Sequence, residues 1–439
     1  MDSIPFDQVY IHPKILDGFG ETMSKSKGNG IDPLDVIEKF GADALRFGMA
    51  HLTTETQDVR LPVRFECPHC ETPIEQTKKN RILPAVECKS CKKSFSTQWA
   101  ESDEDKALPR GPVVSERFEL ARNFANKLWN ASRFAMINLQ DYSAGPIDES
   151  SLTLEDRWIL SRLSTVTKKV TEYLEGFKYA EATRELYEFS WNEFCSFYVE
   201  MLKDRFADEE QKPTAQRMLA FTLDTLLRLM HPITPFITEE IWQNLAKICP
   251  KRGYSEAVDA SPSLITASWP ELPEAWQQPE IESQFSEFQT ALGALREIRS
   301  AQNLPPKTEV EFLIRCEDQL AGLIRPMATN FESMAHATLT MIGPKAEAPK
   351  INATVTKPSM ELFVDLAGHI DVDAERGRLN KELDKKRKSL AGIENKLANE
   401  KYVNNAPKKV VQESKEMATE LKEQITKIED SISELAAIT

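Results

Sequence analysis

The chain has 439 residues, 41% of them hydrophobic, and a formal charge of -14. It is too long for one ordinary core and, at about 150 residues per domain, suits roughly three. No stretch approaches the roughly 20 uninterrupted apolar residues of a membrane helix. Met1-Asp2-Ser3-Ile4-Pro5 has neither the basic region nor the apolar run of a signal peptide. These features exclude a membrane protein and predict a cytoplasmic, multidomain one. The acidic total excludes a generally sticky nucleic-acid binder but leaves room for a local basic face.

Residues 1–61 open with a strand-like run, Val9-Tyr10-Ile11, then a Gly/Lys/Ser loop, Thr22 to Asn29, then a helix with Asp32 as N-cap and Pro33 in its first turn. Lysine ammonium charge, serine hydroxyls and glycine backbone amides are what phosphate handling requires, and such a composition is also that of a solvated polar turn. Residues 62–112 form a cysteine-rich insert. Cys67-Pro68-His69-Cys70 and Cys88-Lys89-Ser90-Cys91 are two knuckles with 17 residues between them, the ligand count and spacing of a zinc ribbon. Four thiolates leave no open position, so the metal is expected to be structural and the insert to unfold when it is chelated. Zinc is weighed against iron and against a pair of redox disulfides. His69, between two better ligands, is expected in solvent. Lys78, Lys79, Arg81, Lys89, Lys92 and Lys93 make the insert basic, and its acidic end, Glu101 to Lys106, reads as mobile. Cys195, Cys249 and Cys316 are scattered, so the seven cysteines do not form a disulfide framework.

Residues 113–275 are helical in pattern, with Phe118, Ala121, Ala125, Leu128 and Ser132 on one face and Leu160, Leu163, Val166, Val170 and Leu174 on another. Successive helices imply a bundle, in whose core Trp129, Trp158, Trp191 and Trp242 are expected. Residues 276–370 read as a small α+β unit, with strand-like runs Val310 to Arg315, Thr338 to Ile342 and Glu361 to Leu366. Residues 371–439 repeat apolar positions at spacings of three and four: Leu379, Leu383, Leu390, Ile393 and Leu397, then Val410, Met417, Leu421, Ile428, Ile432 and Leu435. Two such helices joined at Asn404-Asn405-Ala406-Pro407 predict an antiparallel coiled coil. Residues 376–409 carry 11 Lys/Arg against 4 acids, a basic face on an acidic chain. The fold class is mainly α.

Met23-Ser24-Lys25-Ser26 with Lys27-Gly28-Asn29 and Asp32-Pro33 resembles the Lys-Met-Ser-Lys-Ser signature of class I aminoacyl-tRNA synthetases. Arg122 to Phe134, Asp156 to Arg162, Trp191 to Cys195 and His231 to Trp242 resemble the anticodon-binding bundle of the valyl branch. Leu397 to Val403 and Ala406 to Val411 resemble the tip of that branch's terminal arm, which also distinguishes it from the isoleucyl branch. The resemblance implies the end of a Rossmann-type catalytic domain at 1–61, an anticodon-binding helical bundle at 113–275 and a tRNA-binding coiled coil at 371–439. It implies ATP with Mg2+ bound by Met23, Ser24, Lys25, Ser26 and Lys27, with Lys25 as the catalytic contact to the phosphates. It implies a valine tRNA as partner, with Arg122, Lys127, Arg133, Lys385, Lys386, Arg387, Lys388 and Lys401 as candidate contacts, against solvated helix faces or a dimerisation coil.

The signature departs from the family at Thr22, where a lysine is usual, and at the preceding Glu21. Lys27 supplies part of the missing positive charge. The six histidines, at 12, 51, 69, 231, 336 and 369, include no pair with the spacing of the family's His-x-Gly-His motif. The chain therefore reads as the C-terminal portion of a valine-tRNA ligase. By itself it is expected to make no valyl-adenylate, and it would work with valine, ATP and a separate N-terminal half that bears the editing domain. The competing reading is a non-catalytic tRNA-binding protein derived from such an enzyme.

Overall fold

The computed structural model describes residue 6, residues 8–54, 56–368 and 372–398, and single positions 417, 418, 421, 422, 425, 426 and 429. The chain is mainly helical and divides into two units, residues 1–283 and 284–439.

In the first unit the opening strand is β1 (Ile15–Asp17), which pairs in parallel with β2 (Val59–Leu61). Parallel pairing needs a crossover, supplied by α1 (Pro33–Phe40) and α2 (Ala42–Leu52). Val9-Tyr10-Ile11 is not a strand: Val9 and Ile11 are 78% and 84% exposed, and among the described residues no strand pairs with them, so their β propensity goes unused. Asp32 caps α1 through Leu34 N–H at 3.0 Å, with Pro33 starting the helix.

The insert consists of two hairpins. β3 (Arg64–Glu66) pairs with β4 (Pro73–Glu75) and with β7 (Val113–Val114), and β5 (Ala85–Glu87) pairs with β6 (Ser94–Ser96). Phe65, Val86 and Phe95 pack with Cys67 and Cys88 into a core of their own. Glu101 to Lys106, read as loose from its charge, contains a helical turn, α3 (Asp103–Lys106), whose Asp105 N–H donates to the Ser102 hydroxyl. Arg110 forks onto Asp35 at 2.6 and 3.0 Å, and Val113 N–H donates to the same carboxylate, so the exit of the insert is tied to α1.

The bundle comprises α4 (Glu119–Asn138), α5 (Leu154–Glu175), a long third helix, α8 (Lys212–Met230) and α9 (Pro235–Ile248). The third helix runs as α6 (Tyr179–Tyr187), a π-helical stretch Glu188–Tyr198, and α7 (Val199–Arg205). Thr153 and Asp156 cap α5 reciprocally. Asp156 also accepts from Arg205 at 2.8 Å and from Tyr198 at 2.7 Å inside the bundle. Asp43 of α2 accepts the Phe236 and Ile237 amides, capping α9 from another segment, while Arg46 donates to the Pro232 and Ile233 carbonyls. Trp158 and Trp242 are buried as expected, but Trp129 is 37% exposed on the outer face of α4, and Trp191 is half-buried, stacked on Tyr187. A short ladder, β8 (Lys251–Arg252) with β9 (Val258–Asp259), follows. The early turns of α10 (Pro279–Ala301) carry Glu282, which meets Arg162 at 3.1 Å.

In the second unit a four-stranded sheet has the order β11-β10-β13-β12. β10 (Val310–Arg315) runs parallel to β11 (Ala337–Ile342) and antiparallel to β13 (Met360–Asp365), whose far neighbour is β12 (Asn352–Lys357). Sequence reading overlooked β12, because Asn352-Ala353-Thr354-Val355-Thr356-Lys357 has the polar alternation of an edge strand and little to bury. Phe288, Phe312 and Phe331 form the core between this sheet and the helices α10, α11 (Asp318–Ile324) and α12 (Ala328–Ala335).

The helix α13 (Val372–Ala398) opens the arm. Arg387 pairs with Glu429 at 2.6 Å and Glu394 with Lys422 at 2.8 Å, so a step of seven along one strand of the arm is matched by seven back along the other. That is antiparallel pairing. The buried seam takes in Leu383, Ala418 and Ile425, while Met417, placed on the seam from the sequence, is 57% exposed.

Candidate functional site

The loop from Thr22 to Asn29 is built on two carboxylate-centred turns. Asp17, at the end of β1, accepts from the Phe19 and Glu21 amides and from Asn29 Nδ2, each at 2.8–2.9 Å. Burial pushes its carboxyl up, but the hydrogen bonds from Asn29 and the two amides outweigh that and hold it below its ordinary value. Asn29 Oδ1 in turn accepts from Ser24 N–H at 2.9 Å, closing the loop. Lys25 to Lys27 form one 3-10 turn, ended by Gly28 in the left-handed region at φ 66°. Ser24 Oγ and Ser26 Oγ lie 3.2 Å apart. Lys27 Nζ donates back to the Thr22 carbonyl at 3.4 Å, so its ammonium folds over the loop's root. Lys25 is exposed, and among the described residues no carboxylate pairs with it. Its charge is available to an incoming anion.

Glu21, just before the loop, is met by two cations from the insert. Lys78 reaches Oε1 at 2.7 Å and Arg81 reaches Oε2 at 2.8 Å, and these hydrogen bonds hold the carboxyl down to about 2.

In the insert the four Sγ atoms of Cys67, Cys70, Cys88 and Cys91 lie within 4.8 Å of one another. The Cys67–Cys91 and Cys70–Cys88 separations are both 3.7 Å. A tetrahedral ion with bonds of about 2.3 Å spaces its sulfurs about 3.8 Å apart, whereas a disulfide brings them to about 2.05 Å. The donor set therefore fits a metal tetrahedron, and all seven cysteines are free thiols. Both knuckles are built alike. Cys67 N–H donates to the Thr72 carbonyl and Glu71 N–H to the Cys67 carbonyl, and the same two bonds join Cys88, Lys92 and Lys93. Glu71 and Lys92 stand at φ 58° and 62° to make these turns. The hydrogen bond with the Thr72 hydroxyl holds the Cys70 thiol down to about 6, while burial pushes Cys67 up to about 11. His69 is exposed, its ring nitrogen 3.1 Å from the Ser94 carbonyl, and takes no place among the sulfurs.

The candidate nucleic-acid contacts separate by environment. Lys127 turns inward, its Nζ 2.6 Å from Ser196 Oγ and 4.1 Å from the Trp191 ring centre. The π-helical stretch brings Trp191 and Ser196 against α4. Arg122 is half-buried with its guanidinium 5.6 Å from the Phe40 ring. Arg133 is exposed on the same outer face as Trp129. On the arm Lys385, Arg387 and Lys388 are exposed and Lys386 half-buried. Lys401 lies outside the described residues.

Three family descriptions match separate stretches of the chain. Residues 1–62 match the family described as tRNA synthetases class I (I, L, M and V), and residues 156–314 match the anticodon-binding domain of tRNA ligase. Residues 371–436 match the valyl tRNA synthetase tRNA binding arm. The valine-tRNA ligase of Rhodopirellula baltica is 53% identical over 94% of this chain and 40% of its own length. The chain belongs to the valyl-tRNA synthetase family. Other valyl relatives include the valine-tRNA ligase of Enterococcus faecalis, 35% identical over 93% of this chain and 40% of its own, and that of Fervidobacterium nodosum, 33% identical over 100% and 42%. The chain thus spans about 40% of the length of these valyl-tRNA synthetases. No helix among the described residues is long and apolar enough to cross a membrane.

Proposed function

We propose that this chain serves the ATP-dependent attachment of valine to its tRNA through valyl-adenylate, contributing the loop that closes on ATP and the surfaces that hold the tRNA. The observation that carries the reading is a class I catalytic segment at 1–62 and a valyl tRNA-binding arm at 371–436 on one chain. The parallel pair β1–β2 with its helical crossover then stands as the end of a Rossmann-type sheet. Lys25 stabilises charge on the phosphates of Mg-ATP as pyrophosphate leaves, with Met23, Ser24, Ser26 and Lys27 shaping the loop around them. The spacing of the sulfurs supports zinc at Cys67, Cys70, Cys88 and Cys91, where it would fix the two hairpins as a ribbon and do no chemistry on substrate. Arg122 and Arg133 on the bundle and Lys385, Lys386, Arg387 and Lys388 on the arm would meet the tRNA backbone.

The test is aminoacylation by the synthetase that carries this chain, given valine or isoleucine. Charging with valine is expected, and Lys25→Ala should lower pyrophosphate exchange by about 100-fold or more, the usual effect of deleting a group that stabilises developing charge. Charging with isoleucine alone would overturn the assignment. The 439-residue chain by itself is expected to show only background pyrophosphate exchange, and metal analysis is expected to find one zinc per chain.

A further inference from the structure

The metal-binding insert lies against the phosphate loop, and the contacts between them are specific. Gln76, 7% exposed, donates through Nε2 to the Gly28 carbonyl at 3.0 Å. Gly28 has no room for a side chain: a Cβ there would stand 2.5 Å from the Arg81 carbonyl and 2.7 Å from Trp99 Nε1. Trp99 Nε1 donates to that same Arg81 carbonyl at 2.9 Å, fixing the backbone from which the guanidinium extends. The guanidinium then reaches back to both carboxylates at the loop's root, Asp17 at 3.3 Å and Glu21 at 2.8 Å. Asp17 is the group that holds Asn29, and Asn29 holds Ser24. One residue of the insert is thus connected, through Asp17 and Asn29, to the backbone immediately before Lys25.

From these contacts we propose that the four-cysteine insert is the clamp that positions the Lys25 loop, with Arg81 as its positioning residue. The inference rests on the reading of this loop as the ATP loop. Two physical consequences follow. Lys78 and Arg81 neutralise Glu21, a carboxylate that would otherwise repel a polyphosphate approaching Lys25. The two hairpins of the insert share one small core and one set of four thiolates, so loss of the metal melts the surface on which the loop rests. The loop's position is then coupled to metal loading, although no sulfur ligand touches the loop. Arginine is required at position 81 because the two carboxylates are separate acceptors, which a fork of donors spans and a single ammonium does not.

Hydrogen exchange read by mass spectrometry on the zinc-loaded 439-residue chain tests the clamp. Arg81→Ala should keep its zinc while the amides of residues 21–30 exchange about tenfold faster, as expected for a segment shifted toward local opening. Arg81→Lys should restore only part of the protection. Chelating the metal from the unaltered chain should loosen residues 21–30 together with residues 64–98, leaving α5 of the bundle protected. Unchanged exchange over 21–30, either after chelation has opened the insert or in a zinc-replete Arg81→Ala chain, would overturn the proposal. Full rescue by Arg81→Lys would overturn the role given to the guanidinium fork. Failure of the ATP reading would appear elsewhere, as normal pyrophosphate exchange in the Lys25→Ala synthetase, and would leave these exchange rates as they are.

Discussion

Single side chains decide what is reactive and what is fixed. Burial pushes the thiols of Cys195 and Cys249 up to about 12. Deprotonation is needed for alkylation, so at pH 8 both remain neutral and inert in the folded chain. Iodoacetamide followed by peptide mass mapping should find Cys195 and Cys249 unmodified at pH 8, with or without chelator. Chelation should open Cys67, Cys70, Cys88 and Cys91 to modification. Labelling of Cys195 before the bundle unfolds would contradict the packing described. At Gly28 the left-handed backbone and the Arg81 carbonyl in the Cβ position both oppose a side chain. Gly28→Ala should cost about 1–2 kcal/mol from backbone conformation alone, plus the clash. The expected result is faster proteolysis within residues 20–30 of the variant, with cleavage elsewhere unchanged. The Cys-x-x-Cys pairs were legible because ligand spacing is local. The inward turn of Lys127 and the exposure of Trp129 were not, since both depend on which face of α4 meets the rest of the bundle.

Helices and strands were legible where the pattern was strong. Asp32-Pro33 marks the start of α1, and the stripe Leu160, Leu163, Val166 and Val170 marks the buried face of α5. The phase of the arm's seam was ambiguous because Met417 and Ala418 are adjacent and both apolar, and only packing selects Ala418. The edge strand β12 lacks a buried face, and the run at Val9 has propensity without a partner. At α5, local and long-range signals meet in Asp156. It completes the capping box at Thr153 and is the buried acceptor for Arg205 and Tyr198. Asp156→Ala removes the carboxylate half of the capping box and leaves the Arg205 guanidinium, 8% exposed, without its carboxylate. Breaking a buried pair from one side costs about 3–5 kcal/mol. A large fall in the urea midpoint of the bundle, followed by circular dichroism, is expected. A shift within about 0.5 kcal/mol, as for an ordinary surface change, would show that the network is not what holds α5 to α7.

An acidic chain of net charge -14 nevertheless gathers basic residues on its arm, where Lys385, Arg387 and Lys388 are exposed. This arrangement was foreshadowed by the 11-to-4 excess of basic residues in 376–409. The docking of the insert on the Thr22–Asn29 loop was not, because Gln76 and Arg81 have no local signature that names Gly28 and Asp17 as their partners. Charge placement predicts that Lys385→Glu with Lys388→Glu weakens RNA binding and flattens its salt dependence, since every phosphate left without its cation reduces the slope of log K against log salt by about 0.9 on a duplex. The most direct test of the account is the affinity of the zinc-loaded 439-residue chain for valine tRNA and for isoleucine tRNA, measured by fluorescence anisotropy at two salt concentrations. The account predicts that valine tRNA binds at least about tenfold more tightly, a difference of about 1.4 kcal/mol, and that its affinity falls as salt rises. Equal affinity for the two tRNAs, or no binding to either, would contradict it.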